Sequence, residues 1–465
     1  MSDRSTQQST WQTALVATSR EAFAWHERPG ALQRLLPPWE RVEVERSATH
    51  IRVGAEVVLR MRLGPLSLRW HARHTGYEPP SAFVDESVSG PFAIWRHRHT
   101  FEATDLGSIL RDTVDWRLPI ATLAQPLVGA MVRKRLDAMF AFRHRRTKED
   151  VNRHARWGST SPLRIAVTGS TGMVGRNLVA FLRTGGHHVT RLVRSHAALN
   201  SDTQDDTLLW KLDQPELSAL SGYDAVVHLA GAPIAAGRWT AERKRAIAES
   251  RDGPTRRLAE ALAALPEPPK VFVSASAIGF YGDRDAPVDE GDAPGSGFLA
   301  EVCQRWETAA KPAAAAGIRV VHPRIGVVLD PSGGALAKML PVWRLGLGGP
   351  LGHGRQPVSW ISLDDLLAVI LFAITREDLE GPVNAVAPQP VTNAALSAAI
   401  GGAVRRPALI RTPVFAVRAA FGEMADATLL GGAPVMPSAL TNAGFAWDHS
   451  DLQDTLRFVL GTAAK

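Results

Sequence analysis

The 465-residue chain has a single cysteine, Cys303. One thiol excludes a disulfide-stapled scaffold, a CxxC zinc site and a redox pair, and it fits a reducing compartment. Tyrosine is scarce, with Tyr77, Tyr223 and Tyr281 as the whole set. Long apolar runs are missing too. The best, Leu366 to Ile374, has nine residues, against the roughly 18–20 that cross a bilayer. The N-terminal MSDRSTQQST lacks the apolar stretch of a signal peptide. The expectation is a soluble cytoplasmic protein without a membrane span. A mainly disordered chain is excluded, because 45% of residues are hydrophobic and only 21% charged, enough to build large cores. At about 150 residues per domain the length implies two or three domains.

Charge is unevenly spread. Residues 1–162 hold 24 Lys/Arg and 17 Asp/Glu, which accounts for the whole net charge of +7; the rest holds 29 of each. This step says that two different units join near residue 155. The densest basic run, Arg143-His144-Arg145-Arg146-Thr147-Lys148, closes a long helix, where the macrodipole favours cations. It reads as a solvated helix end rather than a face for an anionic partner. A nucleic-acid reader concentrates its charge on one face, and no nucleic acid is expected.

From Val42 to Trp116 apolar residues alternate with Arg, His or Glu, as in Phe92-Ala-Ile-Trp-Arg-His-Arg-His-Thr-Phe101. That is the pattern of an antiparallel sheet with one wet face. Gly64-Pro65, Glu78-Pro79-Pro80 and Gly90-Pro91 mark turns. Pro119 then opens a helical stretch in which Val128, Val132, Leu136 and Phe140 recur every four residues, with Met131 and Met139 beside them. Element order, the Gly-Pro-rich middle and the terminal amphipathic helix resemble the START-like, helix-grip family of polyketide cyclases and lipid-transfer proteins. That resemblance spans about residues 10–150 and implies an apolar cavity. Trp70, Phe83, Phe92, Trp95, Phe101 and Trp116 either line it or simply fill a core.

Residues 150–162 read as a linker. Beyond it short apolar strands (Arg164–Thr168, Val189–Val193, Ala225–Leu229, Val271–Ser274, Ile318–Val321) alternate with helical stretches. The fold class is therefore α/β: an N-terminal α+β unit (1–152), a doubly wound parallel sheet of Rossmann type (163–400) and a small C-terminal unit (401–465).

The sharpest chemical signal is Thr168-Gly169-Ser170-Thr171-Gly172-Met173-Val174-Gly175, set between a strand and the helix Arg176–Arg183. Gly169 permits a tight turn, Gly172 lets backbone approach a pyrophosphate, and Gly175 lets the helix pack on the strand. The helix N-terminus attracts the anion. An acid ending the second strand would select NAD(H). This strand ends Val193-Arg194-Ser195, and a guanidinium suits a 2′-phosphate, so NADP(H) is favoured over NAD(H).

The TGxxGxxG loop, His228-Leu229-Ala230-Gly231, Arg238-Trp239, Ser250-Arg251, Ser274 to Gly282, Gly333-Gly334-Ala335 and Ser359 to Asp365 together resemble the extended short-chain dehydrogenase/reductases, and within them the epimerase-like (NAD-dependent epimerase/dehydratase) family. The resemblance runs from about 163 to 462. It implies that Leu229, Ala230 and Gly231 lie along the cofactor. Arg251 would reach the adenosine phosphate beside Arg194, and Val328 and Ile361 would lie near the nicotinamide. Ordinary packing competes for Leu229, Val328 and Ile361, and a solvated helix face for Arg251.

The superfamily's Tyr and Lys, four residues apart on one helix, are replaced here by Phe298 and Val302, and neither carries a proton. Ser276 and Tyr281 remain as candidate catalytic groups, with structural closure of the pocket as the competing role of Tyr281. Arg344 to Arg355 reads as a glycine-rich flap. Asp289, Glu290 and Asp292 read as capping groups, and no metal is expected. The first reading is an NADP(H)-dependent oxidoreductase or epimerase-like protein acting on a small molecule, with a fused domain for an apolar ligand. The alternatives are a non-catalytic NADPH-binding regulator and a hydrophobic-ligand carrier.

Overall fold

The computed structural model describes residues 6–64, 66–119, 125–159, 161–195, 206–210 and 217–462. The first unit is a seven-stranded antiparallel sheet in the order β1-β7-β6-β5-β4-β3-β2. Its strands are β1 (Gln7–Leu15), β2 (Val42–Ser47), β3 (Glu56–Leu63), β4 (Leu66–Glu78), β5 (Ala82–Ser89), β6 (Ile94–Thr104) and β7 (Gly107–Arg117). Strand β1 lies upstream of the expected sheet and pairs with β7 along nine residues. Helices α1 (Ser19–Glu27) and α2 (Ala31–Leu35) follow β1, and α3 (Gln125–Trp157) closes the unit. Leu136 and Phe140 on α3 are buried against Trp95, Val114 and Trp116 of the sheet. Met131, expected beside that stripe, is instead 67% exposed.

Two readings of α3 are corrected. The helix runs seven residues past Asp150 into the expected linker, because those residues face the second unit. His154 stacks on Phe181 at 4.4 Å, and Trp157 stacks on Phe445 at 5.6 Å. The basic run is also not a solvated helix end. His144 donates to Asp112 (2.5 Å), Arg145 pairs with Glu149 (2.6 Å), and Arg146 pairs with Asp364 (2.5 Å).

The second unit is a parallel sheet in the order β10-β9-β8-β11-β12-β14-β18, with β13 beside β14. Its members are β8 (Arg164–Thr168), β9 (His188–Val193), β10 (Thr207–Leu209), β11 (Ala225–His228), β12 (Val271–Ser274), β13 (Ser276–Ala277) and β14 (Arg319–Ile325). After β14 come β15 (Val327–Leu329), β16 (Pro357–Val358), β17 (Trp360–Ser362) and β18 (Gly381–Ala385). The connecting helices are α4 (Met173–Thr184), α5 (Ala241–Glu249), α6 (Asp252–Ala263), α7 (Phe298–Ala309), α8 (Lys311–Ala315), α9 (Gly334–Arg344) and α10 (Leu363–Thr375). The strand order reverses between β8 and β11, the crevice where such sheets bind ligands. The nine-residue apolar run is the body of α10, buried all round, as expected for a helix sandwiched inside a protein. Among the described residues no helix is long and apolar enough to cross a membrane.

A buried ionic cluster joins the units. Arg34 donates to both oxygens of Asp150 at 2.7 Å and to Asp364 at 2.8 Å. Arg153 pairs with Asp448 at 2.9 Å, and His449 with Glu149 at 3.1 Å. Gly30, the residue before α2, lies so close to α4 that a Cβ there would stand 2.5 Å from the Ala180 carbonyl oxygen. The units thus meet backbone against side-chain-free backbone as well as charge against charge.

Candidate functional site

The glycine loop leaves β8 at the point of strand-order reversal. Gly169 has φ +65°, a conformation that favours glycine. A Cβ on it would stand 2.7 Å from the Leu229 carbonyl carbon, so the loop abuts the end of β11. A Cβ on Gly175 would fall 2.2 Å from the Gly169 carbonyl oxygen; only glycine lets α4 start so close. Gly172 differs. Its nearest neighbour for a Cβ is the Gly169 oxygen at 3.3 Å, and its outer side is open. It precedes α4 with no side-chain cap, leaving the first-turn N–H groups free for an anion. This cradle fits a dinucleotide pyrophosphate.

Beneath the loop the strands are locked together. Thr168 Oγ1 lies 2.7 Å from His228 Nδ1 and accepts from the Leu229 N–H at 3.2 Å; His228 Nε2 meets Thr255 Oγ1 at 3.0 Å. Burial pushes the His228 imidazole down to about 3, so it stays neutral. Ser170 is buried and accepts from Arg191 Nε at 3.3 Å. Thr171 and Gly172 are exposed, Met173 and Val174 half-buried. Val193 is buried at the end of β9, and Arg194 stands exposed immediately after it.

Leu229 and Ala230 follow β11 beside Gly169 and are half-buried. Gly231 makes room for Arg251, whose guanidinium would lie 3.2 Å from a Cβ there. Arg251 is buried, donates to the carbonyls of Ile247 (3.0 Å) and Ala232 (3.1 Å), and sits 5.0 Å over the Trp306 ring. It shapes the wall after β11 rather than lying on a solvated face. Val328 in β15 pairs with Ile361 in β17. Ile361 has no exposed surface and backs the half-buried Val328. Gly333 packs on Met173, and Arg176 Nη2 donates to Ser332 Oγ at 3.0 Å, which brings the segment after β15 to the start of α4.

Ser276 and Tyr281 are drawn into one network by residues that the sequence reading missed. Ser276 Oγ donates to Glu307 Oε1 at 2.7 Å. Arg324 grips both Glu307 oxygens at 2.9 Å and donates to Tyr281 Oη at 2.9 Å. Tyr281 Oη donates to Asn384 Oδ1 at 2.7 Å. Arg324 also lies 3.4 Å over the Phe280 ring. The Tyr281 phenol is completely buried, and burial pushes it above its ordinary value. Phe298 packs on Trp239, and Val302 is buried. Cys303 is buried, and its thiol is pushed up to about 11 by burial, an inert thiol. Glu307, nine residues beyond Phe298 on α7, carries no sequence signal of its own; Arg324, near the end of β14, is flagged only by the Pro323-Arg324 pair.

The glycine-rich segment is pinned rather than free: Leu351 N–H donates to Asn393 Oδ1 and Gly352 N–H to the Thr412 carbonyl, both at 2.8 Å. Glu290 accepts from the N–H groups of Asn384 (2.8 Å) and Ala439 (3.1 Å), tying the C-terminal segment to the sheet.

The first unit holds a cavity of about 390 Å³. Trp70, Phe83 and Trp95 line it together with His26, His74, Asp85, His97 and His99. Phe101 packs instead with Leu15 and Phe23, and Phe92 and Trp116 with the α3 stripe. Arg183 at the end of α4 and Asp206 border the cavity and pair at 2.8 Å.

The parallel sheet, its reversal point and the side-chain-free loop define a Rossmann-type dinucleotide-binding protein. Comparison with known proteins agrees. The sequence model of the NAD dependent epimerase/dehydratase family matches residues 165–386, a domain of unknown function matches 412–459, and the polyketide cyclase/dehydrase and lipid transport family matches 16–140. An epimerase family protein of Mycobacterium bovis is 46% identical over 297 residues, 63% of this chain and 96% of its own length. The chain belongs to the epimerase family. A crystal structure described as a nucleoside-diphosphate sugar epimerase from Corynebacterium glutamicum aligns over 97% of this chain and 90% of its own, with 34% identity and a TM-score of 0.78. The human epimerase family protein SDR39U1, solved with NADPH, covers 64% of this chain and 99% of its own, with 33% identity and a TM-score of 0.59.

Proposed function

We propose that the second unit binds NADP(H) and acts as an oxidoreductase or epimerase-like catalyst on a small molecule. The observation that carries this is the open Gly172 cradle at the uncapped start of α4, with exposed Arg194 at the end of β9. The NADPH in the human relative's structure supports the same choice. Gly169 through Gly175 hold the pyrophosphate, with Ser170 and Thr171 in the turn and Met173 and Val174 opening the helix. Arg194 takes the 2′-phosphate and Val193 its adenosine side. Leu229, Ala230 and Gly231 flank the cofactor, Val328 borders its nicotinamide end with Ile361 behind it, and Arg251 shapes the wall. When bound, the nicotinamide supplies hydride exchange.

Proton handling by this chain does not follow the Tyr/Lys pattern. Tyr281 is committed to Arg324 and Asn384, which supports a positioning role. Ser276, whose hydroxyl proton is donated to Glu307, presents its lone pairs to a substrate hydroxyl and orients that oxygen, while Arg324 holds Glu307 in place. The replacement of the proton-carrying pair by Phe298 and Val302 favours a second reading, an NADPH-holding regulator without turnover.

The test mixes protein loaded with NADPH or NADP⁺ with a panel of carbonyl compounds and nucleoside-diphosphate sugars, following reduced-nicotinamide absorbance for net oxidoreduction and product stereochemistry by NMR for epimerisation, which returns the cofactor to its starting state. Turnover that falls in Ser276→Ala and Glu307→Gln supports catalysis. Binding without turnover across the panel supports the regulator. The first unit's cavity takes a separate small ligand with an apolar body. It borders the far end of α4, a 12-residue helix about 18 Å long, so its occupant sits about one helix length from the anion cradle at Gly172.

A further inference from the structure

The cavity of the first unit carries more chemistry than an apolar pocket needs. His97 and His99 stand two residues apart on β6, so both point to one face of the sheet. Asp85 on β5 is paired in register with His97. Asp85 Oδ2 lies 3.2 Å from His97 Nδ1 and 3.8 Å from His99 Nε2. The three donor atoms all fall within 4.8 Å of one another. Donors bound to one ion at about 2.1 Å in tetrahedral or octahedral geometry stand roughly 3.0–3.4 Å apart, so a small inward movement converges them on a single point.

The far nitrogens of the same two rings are oriented by a second carboxylate. Asp112 Oδ1 lies 2.9 Å from His97 Nε2 and 2.6 Å from His99 Nδ1, and its Oδ2 is held by His144 Nε2 at 2.5 Å. A carboxylate hydrogen-bonded behind an imidazole fixes its tautomer and raises its basicity, as Asp112 does for His97, and the same oxygen lies against the His99 ring. His97, His99 and Asp112 are buried. His74, also buried and lining the cavity, has a ring Nδ1 with no hydrogen-bond partner among the described residues.

We propose that Asp85, His97 and His99 bind one divalent transition-metal ion, with its remaining coordination positions open to the cavity. Two imidazoles and one carboxylate suit the zinc, iron and cobalt class. Asp112 is a positioning residue for both rings. Trp70, Phe83, Trp95 and Arg143 line the same cavity, so the site takes a small molecule with an aromatic or apolar body and an anionic oxygen on the metal. This site is independent of the dinucleotide loop.

The experiment uses the full chain with any polyhistidine tag removed, stripped with a chelator and titrated with Co²⁺ and with Zn²⁺. One saturable equivalent of Co²⁺, giving visible d–d absorption that Zn²⁺ abolishes, is the expected result. His99→Gln and Asp85→Asn lose it, and Asp112→Asn lowers affinity roughly 10–100-fold. His71→Gln, outside the cavity and paired with Glu56, leaves it unchanged. NADPH binding and circular dichroism report that the variants are folded. No saturable equivalent in the wild-type chain overturns the proposal, whatever the variants do, and so does undiminished binding in folded His99→Gln.

Discussion

Asp364 joins the two units through two buried arginines. It lies at the start of α10 and receives Arg34 at 2.8 Å and Arg146 at 2.5 Å from the first unit. Its side chain is 3% exposed, and those of the two arginines 0% and 5%. Burial alone would raise the Asp364 carboxyl, but Arg146, Arg34 and Arg153 outweigh it and hold the group far below the usual carboxylate range. In Asp364→Asn, Arg34 keeps Asp150, whereas Arg146 loses its ion-pair partner inside the protein. Breaking a buried pair by removing one member costs about 3–5 kcal/mol, because the remaining charge is uncompensated. At about 2–4 °C per kcal/mol for a domain of this size, the melting temperature should fall by roughly 6–20 °C. Urea unfolding followed by tryptophan emission checks the free energy directly. The double variant Arg146→Met/Asp364→Leu should recover most of the loss, since an apolar pair of similar volume replaces a buried ion pair at little cost. A loss below about 1 kcal/mol, the range of an exposed pair, would refute the reasoning, as would a double variant no better than Asp364→Asn.

Further expectations concern the dinucleotide site, the Arg324 network and acid. Arg194→Asp should weaken NADP(H) binding by much more than NAD(H) binding in calorimetry, and equal changes would remove the 2′-phosphate assignment. Gly172→Val should abolish binding of both coenzymes with little change in melting temperature, because its Cβ meets only the Gly169 oxygen at 3.3 Å. Tyr281→Phe leaves Arg324 Nη1 and Asn384 Oδ1 without their buried partner, and urea unfolding should show a loss of about 1–3 kcal/mol. Glu149 resists the penalty of burial because His449, Arg153 and Arg145 surround it, and its carboxyl sits at about 2 against an ordinary 4.5. A depressed folded-state value stabilises above the unfolded value and is lost as pH falls through the folded one. Stability should therefore decline from about pH 4.5 toward 2, and Glu149→Gln should flatten that decline.

The second unit was legible because its signals are local. Strand, glycine loop and helix follow one another within Arg164–Thr184, and each glycine's role can be read from steric need before any contact is known. Phe298 and Val302 likewise mark a missing proton pair once the chain is set against the family it resembles. What stayed hidden depends on partners far along the chain. Arg146 reads as a surface cation until Asp364, 218 residues away, is seen beside it. Ser276 and Tyr281 look like free hydroxyls until Arg324, Glu307 and Asn384 close around them. His97 and His99 read as part of the sheet's wet face until the structure buries them beside Asp85 and Asp112 of the neighbouring strands.

Helix α4 makes the distant partners matter to both sites. Its N-terminus carries the glycine loop, and its far end supplies Arg183 to the rim of the first unit's cavity. Along its length it meets Gly30 at Ala180 and His154 at Phe181, contacts that demand a backbone without side chain on one side and a flat ring on the other. Such a seam resists sliding, because interiors packed at crystal density have discrete arrangements rather than continuous ones. A ligand that moved the cavity rim would therefore act on the same rigid rod that presents the anion cradle, and NADPH affinity measured with and without an occupant in the first cavity gives the size of that coupling.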